Sequence, residues 1–471
     1  MQPGPAVGSA SDLVATESLL SRYLAPVPRY TSYPTAPVWS ERFGPGDLRS
    51  ELRALGRIQE RGLSVYVHVP FCRSLCHFCA CNRVITQDEE RPRHYLDAIE
   101  TEIATVRRSV PGAPRIAQLH WGGGTPTHLQ PEQIGRLHRV LTDAFPLGPE
   151  PEISIEIDPR VTRTDHLDAL AECGFNRISM GVQDFDPVVQ KAIHRIQAFP
   201  DTRELVEQCR ARGMQSVNLD LIYGLPYQSV ASFMRTLDAV LEIRPDRIAL
   251  YSYAHVTWKA RQQRSFERKH LPDAATKIAI LIAAIERLLA AGYVHIGMDH
   301  FALPADELSR ALALGSLRRN FMGYTTRAGL PVIAFGPSGI SELPGGYAQS
   351  ERDIDTWETT IRHGALATIR GHRLTPDDVE RRWIISHIMC DGVVRAQAFQ
   401  ESFQKRLTDA YAPKLRRLAG FEADGLVEIG PTGSLHLTFP GRLLVRNVAA
   451  VFDAYLPEQT RPDRPVFSAS V

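Results

Sequence analysis

From residue 63 onward the chain repeats one pattern: a short apolar run, a loop, and then a longer stretch whose apolar residues recur at helical spacing. The runs predict strands over 63–69, 116–121, 153–157, 177–181, 216–221 and 247–251, with helices over 94–110, 131–145, 164–173, 202–212 and 229–243 between them. Units of this kind in series read as an α/β fold, a parallel sheet curled into a partial (β/α)6 barrel. A helix over 272–291 and a strand near 294–297 close the region. In such barrels the chemistry sits at the carboxyl ends of the strands.

The pattern changes after about residue 370. A helix over 375–389 starts at Thr375-Pro376-Asp377, an N-cap followed by Pro at the first helical position. Strand-like pieces at 426–429 and 435–437 flank Gly430-Pro431-Thr432-Gly433, which reads as a hairpin. Together these suggest a small, mainly helical, winged-helix-like C-terminal domain. At the other end, residues 1–27 are rich in Gly, Ala, Ser and Pro, and only 13–24 has the apolar spacing of a short helix. The first dozen residues are expected to be disordered. Pro34 and Pro37 make 29–37 an extended segment. The expected organisation is an N-terminal extension over 1–60, a barrel over 61–370 and a C-terminal domain over 371–471.

Charge and composition exclude more than they assign. The 471 residues carry 54 basic and 53 acidic side chains, so nothing global points to nucleic acid or to an anionic membrane. The first Lys or Arg is Arg22, and no basic leader opens the chain. The longest apolar run, 278–285, stops at Glu286-Arg287, far short of the ~20 residues of a membrane span. A cytoplasmic location with reduced thiols is expected.

The cysteines carry the strongest chemical signal. Cys72, Cys76, Cys79 and Cys81 fall within ten residues, and the other three are scattered. Cys72, Cys76 and Cys79 follow C-x3-C-x2-C spacing, which lets a short loop bind three irons of an iron-sulfur cube and leave the fourth open. A structural zinc site is the alternative, but it normally pairs two knuckles on separated turns. The other notable residues also follow strands: Gly122 to Gly124 the second, Glu156 and Asp158 the third, Gln183 the fourth, Asp220 the fifth and Ala254 the sixth.

The cysteine loop resembles the radical S-adenosylmethionine (SAM) signature. With RYTSYPTA at 29–36, YVHVPFC at 66–72, WGGGTPT at 121–127, SIEIDPR at 154–160, SMGVQDF at 179–185, LDLIYGLP at 219–226, GMDHFA at 297–302 and NFMGYTT at 320–326, the chain resembles the oxygen-independent coproporphyrinogen III oxidase family. The resemblance runs from about residue 29 to 456 and implies a radical SAM barrel.

It also implies a 4Fe-4S cluster on Cys72, Cys76 and Cys79, and two SAM molecules per chain. The first SAM would meet Tyr66, Gly123, Glu156, Ala254 and Ile340; the second would meet Phe78, Gly124, Thr125, Gln183, Arg195 and Asp220. Tyr66, Glu156 and Gln183 are the residues expected to serve catalysis. The implied substrate is coproporphyrinogen III, two of whose propionates become vinyl groups after a 5'-deoxyadenosyl radical removes a β-hydrogen. Arg29, Tyr30 and Tyr33 are expected to clamp propionates and to cover the barrel's open side. The partners would be an electron donor and a terminal acceptor, with no nucleic acid and no membrane span, and the chain is expected to act as a monomer.

Some positions depart from the family pattern: Ala80 replaces a glycine, His77 an aromatic, Gly339 an alanine and Ser350 an asparagine. Cys81 is expected to support the cluster without binding it. The alternatives are a haem-modifying or tetrapyrrole-methylating relative, or a haem chaperone that has kept the cysteine loop.

Overall fold

The computed structural model describes residues 17–57, 62–456 and 467. The expected disorder of the first dozen residues and the boundary at residue 60 fall outside these. Six parallel strands, β1 (Leu63–Val69), β2 (Ile116–Gly123), β3 (Leu147–Ile157), β4 (Arg177–Gln183), β5 (Ser216–Tyr223) and β6 (Arg247–Ser252), stand side by side in chain order. Helices α1 (Glu90–Ser109), α2 (Pro131–Ala144), α3 (Thr164–Glu172), α4 (Phe199–Ala211) and α5 (Val230–Ile243) connect them. Local signals set the limits. Ser229 caps α5 by accepting from the Ser232 N–H, and Arg244 ends it in the left-handed region at φ 51°.

The sheet is larger than six strands. After α6 (Ala274–Ala290), strands β7 (Val294–Gly297) and β8 (His300–Ala302) add an antiparallel edge beside β6. At the other edge β9 (Val332–Phe335) pairs parallel with β1, and β10 (Ile340–Leu343), β11 (Gly346–Ser350) and β12 (Thr368–Arg373) continue antiparallel from it. The order is β12-β11-β10-β9-β1-β2-β3-β4-β5-β6-β8-β7.

The two faces of the curled sheet differ sharply. Val65, Val67, Leu119, Ile155, Ile178 and Leu219 are fully buried or nearly so in the core shared with the helices. Their neighbours at period two, among them Gln118, His120, Ser154, Glu156, Ser179, Asn218 and Asp220, line the concave interior. Parallel strands covered on both faces are usually apolar throughout. A polar interior therefore marks a cavity that holds polar groups.

The C-terminal part begins with α7 (Pro376–Asp391), capped by the Thr375 side chain. The expected hairpin forms from Val427–Ile429 and Leu435–Leu437, joined by Val393–Val394. Ile384, Ile388, Phe399, Val448 and Phe452 build a second core, and Tyr30 and Tyr33 of the N-terminal segment are part of it. Residues 17–22 are helical. No helix among the described residues is long and apolar enough to cross a membrane.

Candidate active site

The cysteine loop leaves β1 at Pro70 and is tied down along its length. His77 donates its backbone N–H to the Ile193 carbonyl at 2.9 Å, and Val84 donates to the Pro70 carbonyl at 2.7 Å. Gln263 donates to the Phe78 carbonyl at 2.9 Å, and Gln262 donates to the Cys79 carbonyl. From inside the barrel, His68 Nε2 meets the Asn82 carbonyl at 2.9 Å. Phe78 packs against the cluster formed by Val189, Ile193, Ile222 and Tyr253.

The loop and the strand ends enclose a cavity of about 150 Å³. Cys72, Cys76, Cys79, Phe78, Gly123, Gly124, Thr125, Glu156, Gln183, Arg195 and Asp220 all line it, together with Cys81. Ala254, Ile340 and Tyr66 stand apart. The Ala254 carbonyl accepts from Gln263 at 3.1 Å, and Ile340 is a half-buried residue opening β10. Tyr66 lies beside the cavity, its hydroxyl 3.1 Å from His68 Nδ1 and its ring stacked on His120 at 5.9 Å.

The glycines are fixed by close approach. A Cβ on Gly124 would lie 2.6 Å from the Pro70 carbonyl oxygen, and one on Gly123, at φ 118°, would lie 2.7 Å from the His68 ring. Gln183 sits in the left-handed region at φ 68°, where β4 slips register against β5. A non-glycine residue held there at a cavity wall is the kind of backbone outlier that clusters at functional sites.

Charges around the cavity are ordered. Glu156 accepts the Gly123 N–H at 3.1 Å and has His120 Nε2 3.5 Å away. Burial pushes Glu156 upward, but His120 and the Gly123 N–H outweigh it and hold the carboxyl below its usual range. Asp220 goes the other way. Burial and then repulsion from Glu156 push it up to about 7, against hydrogen bonds from Asn218 and Ser179. Asp158 feels burial too, yet Arg195 and Arg160 hold it at about 2. Arg160 and Arg195 also point N–H groups at Cys76 Sγ, at 3.4 and 3.5 Å, and Thr125 Oγ1 is 3.5 Å from Cys72 Sγ. The interaction with Cys81 draws the Cys79 thiol down to about 6, and the same pairing pushes Cys81 up.

These residues suit an iron-sulfur cube better than zinc. The three thiols open into one cavity with N–H and O–H donors aimed at two of the sulfurs. Yet among the described residues no three metal-binding side chains are close enough to share a single ion.

The N-terminal segment divides its labour. Arg29 forms an ion pair with Asp299 and lies 5.6 Å over the Tyr251 ring at the end of β6. The Tyr30 hydroxyl donates to Asp453 at 3.0 Å, and the Tyr33 hydroxyl accepts from the Ala454 N–H at 3.0 Å. The two tyrosines are thus pegs into the C-terminal core, and Arg29 is the member of the trio at the barrel mouth. His68, His120, Ser154, Ser179 and Asn218 were not singled out from sequence, although the strands carrying them alternate polar and apolar residues.

The radical SAM superfamily model matches residues 66–240. The solved structure of coproporphyrinogen III oxidase from Escherichia coli, described there as a radical SAM enzyme, superposes with a TM-score of 0.87 at 41% identity, covering 91% of this chain and 97% of that one. Fold, thiol triad and these matches define a radical SAM enzyme. Curated relatives named oxygen-independent coproporphyrinogen III oxidase are 41% identical over 96% of this chain and 97% of the relative in Synechocystis, and 42% identical over 94% and 96% in Pseudomonas aeruginosa. The chain belongs to the oxygen-independent coproporphyrinogen III oxidase family.

Proposed function

We propose that this chain oxidatively decarboxylates two propionates of coproporphyrinogen III to vinyl groups, giving protoporphyrinogen IX in haem biosynthesis without oxygen. The observation that carries this is the cavity where Cys72, Cys76 and Cys79 face Glu156, Gln183, Arg195 and Asp220, in a chain whose relatives bear that name over nearly its whole length. When bound, a 4Fe-4S cluster and SAM supply an electron and a carbon-centred radical able to take a hydrogen atom.

The chain's own residues hold and orient. Cys72, Cys76 and Cys79 bind the cluster, with Arg160, Arg195 and Thr125 directing donors at the sulfurs. One SAM meets Tyr66, Gly123, Glu156, Ala254 and Ile340. A second meets Phe78, Gly124, Thr125, Gln183, Arg195 and Asp220, all six of which line the cysteine cavity. Glu156, kept ionised, takes a cationic or hydroxyl-bearing ligand; Tyr66, steadied by His68 and His120, orients it, and strained Gln183 sets the opposite wall. Each propionate loses its carboxyl as CO2 and one β-hydrogen, and the electron left behind passes to an acceptor, while a separate donor reduces the cluster. Seven free cysteines support a cytoplasmic setting.

The names of the relatives favour this reading over a methylating enzyme or a haem chaperone. Equilibrium binding of SAM to the reconstituted protein tests the cofactor count: two molecules per chain are expected, and one would remove the second site.

A further inference from the structure

The hairpin carrying the NFMGYTT motif, Arg318–Asn320 against Gly323–Thr325, has no part in the cysteine cavity. Its position is informative. Asn320 and Tyr324 line the barrel interior that also holds Glu156 and Asp220. Arg319, opposite Tyr324 in the hairpin, lines a separate cavity of about 340 Å³ together with Tyr30 and Tyr33. Arg319 therefore stands at the wall between the barrel interior and the covering segment.

Arg319 is also unsatisfied. Its guanidinium lies 4.8 Å from the centre of the Tyr324 ring, while Nε and Nη1 are shut off from solvent with no hydrogen-bond partner. Among the described residues it forms no ion pair. Its neighbours Arg29 and His300 bring no negative charge of their own, although Arg29 is paired with Asp299 and Glu342 lines the same cavity. Burial first, and Arg319 next, pull Arg29 downward, and the same two causes in the same order hold His300 neutral. A guanidinium edge left dry and unpaired beside another guanidinium is costly unless an anion arrives to pair with it.

We propose that Arg319 and Arg29 form a carboxylate clamp for a propionate of the macrocycle, Arg319 presenting its unpartnered Nε and Nη1 edge and Arg29 the second cation. The planar fork of Arg matches a carboxylate through two parallel N–H donors, which a lysine does not reproduce. The clamp deepens the coproporphyrinogen reading and rests on it for the identity of the macrocycle.

The test uses the reconstituted holoenzyme under anaerobic conditions, with Arg319→Gln and Arg319→Lys. Arg319→Gln is expected to raise the KM for coproporphyrinogen III at least ~10-fold, leave the cluster absorption and substrate-free SAM cleavage unchanged, and be partly rescued by Arg319→Lys. Wild-type protein should bind coproporphyrin III at least ~10-fold more tightly than its tetramethyl ester, and Arg319→Gln should lose that preference. Substrate conversion by wild type with an unchanged KM in Arg319→Gln overturns the clamp and leaves the activity standing. Equal affinity of wild type for acid and ester also overturns the clamp, and it needs no variant to fold. Failure of wild type to convert the substrate defeats the activity, and the acid-over-ester preference still decides the clamp.

Discussion

Arg195 and Asp158 form a buried ion pair, with Nη1 3.1 Å from Oδ2, where the cysteine loop meets the end of the third strand. The same guanidinium donates to the Gly181 carbonyl at 2.6 Å and points at Cys76 Sγ. One side chain thus ties the fourth strand to a cluster ligand. Arg195→Ala should leave the cluster assembled, because Arg160 still covers both Asp158 and Cys76. It should nevertheless impair decarboxylation and cost about 2 kcal/mol of stability, the loss of charge-assisted hydrogen bonds with Asp158 still paired to Arg160. Iron content, turnover and thermal unfolding measured together check this, and wild-type turnover in the variant would count against it.

Cys76→Ser should abolish both the brown chromophore and SAM cleavage. Cys81→Ser changes a neighbour of Cys79 and not one of the three ligands, so the variant should still hold about four irons per chain after anaerobic reconstitution. Loss of iron in Cys81→Ser, or a colourless zinc protein, would overturn the ligand assignment.

Asp220 supplies a pH test. Its carboxyl is raised in the folded chain to about 7 from an ordinary 3.8, so protonation favours the fold. The stability it contributes is full below about pH 4 and is lost as pH rises through about 7. Asp220→Asn should therefore stabilise the ligand-free protein at pH 8 by about 1 kcal/mol and do little at pH 5. Because a cationic ligand favours the ionised carboxyl, the variant should also weaken the proposed second SAM site. Unfolding curves at the two pH values decide the first point and SAM titration the second.

Residues 27–33 are anchored to the C-terminal core by two contacts. Tyr33 is 1% exposed within the C-terminal core, and Arg446, 5% exposed, gives N–H groups to the carbonyls of Val27 and Pro28. Deleting the segment should lower the unfolding temperature by several degrees, as expected for losing large buried side chains. Arg29→Ala is the cleaner probe, expected to weaken substrate use more than it lowers thermal stability, because it also takes the cation from Asp299.

The parallel strands were legible in the sequence because each is an apolar run of ordinary length between turn residues; Leu63–Val69 falls where predicted, as does the antiparallel Val294–Gly297. Of the concave residues, Tyr66, Glu156 and Asp220 were named from sequence, whereas His68, His120, Ser154, Ser179 and Asn218 were not, although period-two alternation carries them all. In β1 Ser64, Tyr66 and His68 alternate with Val65, Val67 and Val69, and in β5 Asn218 and Asp220 alternate with Val217 and Leu219. Reading those runs for hydrophobicity alone conceals His68 and His120. Strands β8 to β12 escaped because they are only three to six residues long. The pairing of Arg29 with Asp299 and the setting of Arg319 join distant segments, and no local spacing announces them.

The most direct measurement is the product of anaerobic incubation of the reconstituted protein with coproporphyrinogen III, SAM and dithionite, read by mass. The expected product has lost two CO2 and four hydrogens, with SAM cleaved to 5'-deoxyadenosine and methionine. A product that has gained methyl groups, or SAM cleavage that leaves the porphyrinogen intact, would contradict the proposed activity.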